Sequence, residues 1–283
     1  MTYDGLLLMQ QPHFYEVPPM FDIHSHILYN IDGDDGSRSE AMSLAMLQQA
    51  AAAGTTDLFA TPHFHRRGIC PNWDTITERL AQLQQQADAA QIPIRLHSGA
   101  EVSLDADTLN YLPGPGEHRD CCLAGTAYLL VELLPTAAPL ETWNLLYQLQ
   151  LRGYLPILAH PERYKAIMAQ PQVVRQWVEK GILLQSNLGS FTGDFGESAC
   201  RSVRWLYDRG MIHFLGSDAH RTDWRCPDTR KAQDAVRALP GGAAFLADCD
   251  AHAQLLLQGR VFYPNPPHEP PKKKRGFWSR FFG

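Results

Sequence analysis

Eight imidazole and carboxylate side chains lie in the short motifs DIHSH, ATPHFH, GAEV, LLVELL, ILAHPER and GSDAH, each of which completes a β-like run. They are His24, His26, His63, Glu101, Glu132, His160, Asp218 and His220. Burying such groups is costly unless they are paired or bound to a metal. Eight exceed the three or four protein ligands of one zinc ion, so we predict two or three divalent ions. Nitrogen and oxygen ligands without cysteine suit manganese, iron or zinc better than a sulfur-loving ion, and the ligand types alone do not choose among the three.

The elements that must position these residues alternate between β-like and helix-like runs. The strand candidates are Phe21–His24, Asp57–Thr61, Ile94–Gly99, Tyr128–Leu134, Leu155–His160, Ile182–Asn187 and Phe214–Ser217. This alternation predicts an α/β fold, a parallel barrel of seven βα units whose carboxyl ends open on one face. We predict a single-domain barrel over residues 20–262, an N-terminal extension (1–19) and a tail (263–283). Ser37 and Glu40 have the spacing of a capping box for the first helix.

Each ligand candidate also allows a structural interpretation. His24 and His26 fit the polar face of an ordinary strand, and His63 fits a turn. Glu101 and Glu132 are harder to explain in that way, because each lies in an apolar run where an unpaired carboxylate is rarely tolerated. All eight residues fall at equivalent strand ends, so we favour a shared metal centre. We interpret the remaining histidines, such as His13 and His65, as surface or supporting residues.

Composition and motifs argue against several function classes. Residues 264–283 carry a net charge of +4, which leaves −9 on the rest of the chain and argues against general nucleic-acid binding. No cysteine is followed by arginine at the sixth position, as cysteine phosphatases require, and no GxxxxGK[ST] loop occurs. No apolar run approaches about 18 residues, so we expect neither a signal peptide nor a membrane span. We expect a cytoplasmic protein with reduced cysteines.

The motifs DIHSH, TPH, GAE, VEL, AHPERY and SDAH resemble, in order and spacing, those of the PHP (polymerase and histidinol phosphatase) superfamily. Within it, the chain resembles the CpsB/CapC type, metal-dependent protein-tyrosine phosphatases of bacterial capsule and exopolysaccharide clusters. The resemblance covers about residues 20–262 and implies a distorted (β/α)7 TIM-like barrel with a trinuclear centre, often of manganese. Glutamate at position 132 favours the tyrosine-phosphatase branch, because histidinol-phosphatase-like members usually carry histidine there.

The resemblance also implies which residues hold each metal ion. The first ion takes His24, His26 and Asp218, the second takes Glu132 and His160 with Glu101 as the bridge, and the third takes His63 and His220. An aspartate from a DDG turn completes the third set, and we match Asp35 to it. The turn YNIDGDDG is about two residues longer than usual, so Asp32 and Asp34 are alternatives.

Clustered metal ions can bind phosphate oxygens, activate water and neutralise developing charge, so phosphomonoester hydrolysis would need no covalent intermediate. Arg163 and Arg225 directly follow ligand strands, and we assign both to phosphate binding and transition-state charge, with surface ion pairing as the alternative. Arg66 and Arg67 are weaker candidates for the rim of the substrate site. The candidates for a general acid are His63, His220 and Asp35.

The function that the resemblance implies is removal of phosphate from the tyrosine-rich C-terminal tail of a membrane-bound bacterial autokinase that controls polysaccharide export. A PHP phosphatase for a small phosphomonoester, similar to histidinol phosphatase, is an alternative. An amidohydrolase also begins with HxH, but its bridging lysine is missing from the candidate strand ends. A non-catalytic scaffold that binds the kinase tail is the alternative from another class.

The C-terminal tail has two distinct parts. Pro264–Pro271 contains five prolines, which predict an extended segment separate from the barrel. Residues 272–283 interleave cations with aromatic side chains. This pattern is typical of weak, reversible contact with an anionic membrane surface, although a disordered tail or an oligomer contact fits it as well.

Overall fold

The computed structural model describes residues 20–114 and 119–269, in which nine parallel strands curl into a barrel-like sheet. The strands are β1 (Phe21–Ser25), β2 (Asp57–Ala60), β3 (His63–Phe64), β4 (Arg95–Ser98), β5 (Glu101–Leu104), β6 (Tyr128–Leu133), β7 (Leu155–Ala159), β8 (Leu183–Asn187) and β9 (Phe214–Gly216). They pair in the orders β1-β2-β4 and β3-β5-β6-β7-β8-β9. The last strand lies beside the first, since Asp218 N donates to His24 O at 2.8 Å.

Helices separate most of the strands along the chain, but β3 follows β2 and β5 follows β4 without a helix between them. The helices are α1 (Glu40–Ala52), α2 (Trp73–Ala89), α3 (Thr108–Tyr111), α4 (Pro139–Leu151), α5 (Lys165–Met168), α6 (Pro171–Glu179), α7 (Glu197–Tyr207), α8 (Arg230–Arg237) and α9 (Gly242–Leu257). This order confirms the predicted α/β, barrel-like, single-domain fold. Within the described residues, no helix is both long enough and apolar enough to cross a bilayer.

Strands occupy all seven predicted positions, and two of the runs are followed closely by a second short strand. After β2, Pro62 lacks an N–H group to continue the ladder, and β3 begins at His63. After β4, β5 begins at Glu101, which pairs in register with His63. Both residues thus lie just past a predicted strand, as expected, and each also opens a short strand of its own.

Helix α1 begins two residues later than predicted. Ser39 is the N-cap residue, and its side chain accepts a hydrogen bond from Met42 N at 3.2 Å. Ser37 instead accepts a hydrogen bond from Ser43 Oγ at 2.9 Å. The predicted capping box at Ser37 and Glu40 was wrong, because Ser37 is buried in the turn before the helix.

The barrel interior changes from apolar to polar along its strands. On β6, alternate residues share a face, so Tyr128 and Leu130 lie in the interior cluster and Glu132 follows them toward the carboxyl end. Leu183 belongs to the same cluster, and Gln185 follows it on β8. The fold thus separates an apolar amino end from a polar carboxyl end.

Two sequence predictions concern segments near the termini. The extension 1–19 and the basic segment 272–283 lie outside the described residues. The described part of the proline-rich segment contacts the barrel, since His268 N donates to Arg209 O at 3.1 Å and Arg175 Nη2 donates to Pro267 O at 3.2 Å. The prediction that this segment is separate from the barrel was therefore wrong.

Candidate metal centre

The structure brings all eight predicted ligands together at the carboxyl end of the barrel. Glu132 is partly exposed, and the other seven are buried. His160 and Asp218, directly after β7 and β9, have left-handed backbone conformations with φ of 34° and 53°. Such conformations cost about 1–3 kcal/mol each and cluster at functional sites.

Glu101 lies at the middle of this cluster and is 1% exposed. Its Oε1 atom is 3.4 Å from His24 Nε2 and 2.8 Å from His160 Nε2. Its Oε2 atom is 3.3 Å from His26 Nε2 and 3.0 Å from His63 Nδ1. One buried carboxylate therefore contacts four imidazoles contributed by three different parts of the sheet.

The hydrogen bonds of His24 and His26 fix which ring nitrogen carries the proton. His24 Nδ1 lies 3.0 Å from Gln185 Oε1, and His26 Nδ1 lies 2.7 Å from Asp34 Oδ1. Each oxygen is an acceptor, so each Nδ1 donates and each neutral ring keeps a lone pair on Nε2. The two Nε2 atoms are 3.3 Å apart. Two lone pairs at this distance repel unless a cation or a proton lies between them, so the arrangement fits a bound metal ion.

His63 and His220 form a second cluster with Asp35, an aspartate of the predicted turn. Asp35 Oδ1 lies 3.4 Å from His63 Nε2 and 3.3 Å from His220 Nε2. His220 Nδ1 donates to Asp218 O at 2.9 Å, so its Nε2 atom carries a lone pair and accepts a hydrogen bond from Arg225 Nη1 at 3.1 Å. Of the two alternatives to Asp35, Asp34 is hydrogen-bonded to His26 and also has a carboxylate oxygen within 4.8 Å of ligand atoms of Asp35 and His63. Asp32 is exposed, as Asp35 is, but belongs to no such ligand group among the described residues.

The position of Glu132 differs from the set implied by the resemblance. Glu132 Oε1 lies 3.3 Å from His63 Nδ1 and accepts a short hydrogen bond from Ser103 Oγ. Ligand atoms of His63, Glu101 and Glu132 lie within 4.8 Å of one another. The same holds for ligand atoms of a second group, His24, Glu101 and His160. The geometry thus places Glu132 in contact with His63, and Glu101 belongs to both groups.

The electrostatics of the centre favour anionic carboxylates. Burial alone would raise the pKa of Glu101, but His24 and His63 hold it well below its usual range. Burial opposes protonation of His26, yet Asp34 outweighs it and raises the pKa of His26 to about 9. Burial also opposes protonation of His63, but Glu101 and other carboxylates raise its pKa to about 12. The imidazoles therefore bind protons that divalent cations would replace.

His220 responds in the opposite direction. Burial and the neighbouring His26 lower the pKa of His220 to about 4, so this ring stays neutral at pH 7. A neutral imidazole is the form that binds a metal ion. The donor set, the fixed tautomers and the anionic carboxylates together fit divalent ions.

Arg163 and Arg225 converge on Asp218. Arg163 Nη1 lies 2.6 Å from Asp218 Oδ2, and Arg225 Nη2 donates a short hydrogen bond to the same oxygen. Asp218 Oδ1 faces the other way, 3.6 Å from His26 Nε2. Asp218 thus links the arginine pair to the imidazole cluster. Arg66, the rim candidate, contacts Asp35 Oδ1 at 2.7 Å.

Sequence reasoning missed the residues that orient the cluster. Asn187 Nδ2 donates to Asp218 Oδ2 at 2.8 Å, and Gln185 orients His24. Both are polar residues of the strand motif LQSN, and that polarity inside a buried strand was the available signal. Asp34 was considered only as a metal ligand, whereas the structure makes it the partner of His26.

Of the two roles expected for the remaining histidines, surface or supporting, His65 has the supporting one. His65 is buried, and its Nδ1 atom is 3.7 Å from Asp105 Oδ2. Its ring packs at 4.5 Å against the ring of Tyr111, so it supports the loop after β3 and does not lie on the surface. His13 lies outside the described residues.

Comparisons with known proteins agree with this geometry. Residues 20–244 match the CpsB/CapC family of capsular polysaccharide synthesis. The tyrosine-protein phosphatase YwqE of Bacillus subtilis is 32% identical over 259 residues, which cover 91% of this chain and 99% of YwqE. The putative tyrosine-protein phosphatase CapC of Staphylococcus aureus is 32% identical over 201 residues, 71% of this chain and 77% of CapC.

A solved structure leads to the same family. It comes from a crystallographic study of YwqE from Bacillus subtilis and CpsB from Streptococcus pneumoniae, described as unique metal-dependent tyrosine phosphatases. It aligns with a TM-score of 0.78 at 31% identity, covering 90% of this chain and all of the other. The sequence match over most of the chain and the shared fold agree: this chain belongs to the CpsB/CapC family.

Proposed function

We propose that this chain is a metal-dependent protein-tyrosine phosphatase, a phosphoric monoester hydrolase. The observation that carries the proposal is the convergence of four imidazoles on the buried carboxylate of Glu101, beside the arginine pair at Asp218. The names of the relatives, tyrosine-protein phosphatases, support the reaction class. Both lines of support point to phosphate-ester hydrolysis at the carboxyl end of the barrel.

The centre would hold two or three divalent ions, with manganese favoured and iron or zinc as alternatives. The proposed ligands are His24, His26, Asp35, His63, Glu101, Glu132, His160, Asp218 and His220. Bound ions would supply Lewis-acid activation of water and neutralise charge on the phosphate oxygens. Gln185 and Asp34 hold His24 and His26 in the tautomer that such binding requires.

The protein's own part in the reaction is to bind phosphate and stabilise its charge. Arg163, in the turn after β7, and Arg225, in the loop after β9, extend their guanidinium groups toward Asp218, so their donors face one point beside the cluster. Arginine suits this role because its planar fork matches phosphate oxygens. A phenolate, with a pKa near 10, leaves with less proton donation than an alkoxide. If an acid acts, the candidates stay His63, His220 and Asp35.

The proposed substrate is the phosphotyrosine-bearing C-terminal tail of a membrane-bound bacterial tyrosine kinase in capsule or exopolysaccharide synthesis. The family to which the chain belongs supports the polysaccharide context. Such a tail lies on the cytoplasmic side of the membrane, so we place the enzyme in the cytoplasm. Residues 272–283 would add weak contact with the inner membrane surface, and deleting residues 270–283 is expected to reduce pelleting with anionic liposomes.

A substrate comparison tests the function. Manganese-loaded protein is assayed with a phosphotyrosine peptide, with histidinol phosphate and with a cyclic amide. We expect phosphate release from the peptide at a kcat/KM at least tenfold above that for histidinol phosphate, and no amide cleavage. Preference for histidinol phosphate would instead identify a small-molecule phosphatase. Binding of the phosphopeptide without phosphate release would identify a scaffold.

A further inference from the structure

A large apolar side chain lies half exposed beside the candidate centre. The side chain of Trp224, in the loop after β9, is 52% exposed. Its ring lies 5.7 Å from the ring of His220 in an edge-to-face arrangement. The guanidinium of Arg225 lies 5.2 Å from its centroid. Trp224 therefore contacts both a proposed metal ligand and a proposed phosphate-binding residue while it stays open to solvent.

The surroundings of Arg225 differ on its two sides. Phe195, which is partly buried, has the guanidinium groups of Arg163 and Arg225 at 4.9 Å and 5.2 Å from its ring centroid. Trp224 approaches Arg225 as well and is the more exposed of the two aromatic residues. The guanidinium of Arg221 also lies 5.6 Å from the Trp224 ring, yet about half of the surface of Trp224 remains exposed. Phe195 is thus placed to hold the arginine pair, whereas Trp224 has surface left for a ligand.

We propose that Trp224 contacts the phenyl ring of the phosphotyrosyl substrate and sets a preference for aryl over alkyl phosphate esters. This inference rests on the proposed function. In phosphotyrosine the ester oxygen is bonded both to phosphorus and to an aromatic ring, so a phosphate bound by Arg163 and Arg225 would keep that ring close to the two guanidinium groups. Trp224 lies beside Arg225 and is exposed there. An alkyl phosphate presents no ring at this point.

Three variants test this role: Trp224→Ala, Trp224→Phe and, as a control, Tyr263→Ala. Tyr263 is 90% exposed and lies near the amino end of the barrel, because the adjacent Phe262 packs against Tyr128 and Phe214. For each manganese-loaded variant, the KM and kcat for a phosphotyrosine peptide and the inhibition constant of inorganic phosphate are measured. Metal content is measured in parallel as a check on the centre.

Aromatic pairs change affinity by about two- to twelvefold, so Trp224→Ala is expected to raise KM by roughly three- to tenfold with a smaller change in kcat. The inhibition constant of phosphate and the metal content should stay within twofold, since neither depends on a ring contact. Trp224→Phe should have a KM close to that of the wild type, and Tyr263→Ala should have the KM and kcat of the wild type.

Two results would overturn the inference. An unchanged KM in Trp224→Ala, with an active wild type, would show that the ring is not recognised there. An equal rise in the KM for the phosphotyrosine peptide and in the inhibition constant of inorganic phosphate would show that Trp224 only supports Arg225 or His220. A wild-type protein that releases no phosphate from the peptide would instead refute the proposed function, and this inference with it.

Discussion

Buried histidines lie at both ends of the barrel, and their surroundings differ. At the amino end, His213 accepts a hydrogen bond from Leu184 N at 2.9 Å, and burial together with His252 lowers its pKa to about 3. At the carboxyl end, His26 is just as buried, yet Asp34 raises its pKa to about 9. Burial beside another imidazole, with no carboxylate in contact among the described residues, thus produces a neutral structural histidine. Burial among carboxylates produces a site that attracts cations.

The two ends also differ in what fills the barrel. Phe21, Tyr128 and Phe214 form an apolar layer at the amino end, and the ring of Phe262 covers it. At the carboxyl end, Glu101 and its imidazoles replace this layer. In barrels of this kind, the amino end contributes stability and the carboxyl end carries catalysis. Substitutions at the two ends should therefore have separate effects.

The largest effect is expected for Glu101→Gln, because it removes the charge shared by four imidazoles. We expect a loss of about 100-fold or more in kcat/KM for a phosphotyrosine peptide, together with a lower metal content. The matched control is Asp57→Asn, which removes a carboxylate 2.9 Å from His97 Nε2 at the amino end of β2. The control should keep its kcat/KM within about threefold of the wild type. An equal loss of kcat/KM in both variants would refute the assignment of catalysis to the carboxyl end and stability to the amino end.

The next effect is expected for Arg225→Lys, because an ammonium group cannot reproduce the planar donor fork. We expect kcat/KM to fall by about 10- to 100-fold, with metal content unchanged. Arg237→Lys, at an arginine that is half exposed on α8, serves as the control and should have wild-type kinetics. Full activity of Arg225→Lys would remove this residue from the phosphate site.

A third effect concerns stability and pH at the amino end. The pKa of His213 is about 3 in the folded chain and about 6.5 in the unfolded chain, so only the unfolded state takes up a proton between these values. The folded state therefore loses stability as pH falls below about 6.5. In His213→Asn, the amide oxygen can still accept the hydrogen bond from Leu184 N, but the side chain does not titrate. The loss of stability at low pH that His213 causes is therefore absent in this variant.

Urea unfolding at pH 7.5 and at pH 5 measures the difference. From the higher to the lower pH, the wild type should lose about 2 kcal/mol more in the free energy of unfolding than His213→Asn. Parallel losses in the two proteins would show that His213 is not held neutral by the fold.

The smallest effect is expected at Asp250, whose pKa burial raises to about 6 although its Oδ1 accepts a hydrogen bond from Phe21 N at 2.9 Å. A raised pKa means that the carboxylate opposes folding at neutral pH, and this cost disappears below about pH 4. Asp250→Asn should therefore be more stable than the wild type at pH 8, by roughly 0.5–1 kcal/mol because the group is partly solvated. Thermal unfolding at pH 8 and pH 4 checks this, and a variant that is less stable at pH 8 would contradict it.

The sequence was sufficient to predict the barrel and the residues that meet at its carboxyl end. The reason is that strand ends are marked locally, by apolar runs that stop at polar residues such as His160 and Asp218. The contacts between those residues depend on how the barrel closes. The grouping of Glu132 with His63 and the contact of Phe195 with two arginines join distant strands or loops, and the pairing of Asp34 with His26 depends on how the turn between β1 and α1 folds back. No local pattern specifies such pairs.

The central claim is that the imidazoles and carboxylates around Glu101 bind several metal ions that are required for phosphotyrosine hydrolysis. The most direct measurement is elemental analysis of protein purified without chelator, combined with phosphate release before chelation, after chelation and after manganese is restored. We predict two or three divalent ions per chain, activity lost with the ions and activity regained with manganese. Less than one ion per chain, or full activity after complete chelation, would contradict the claim.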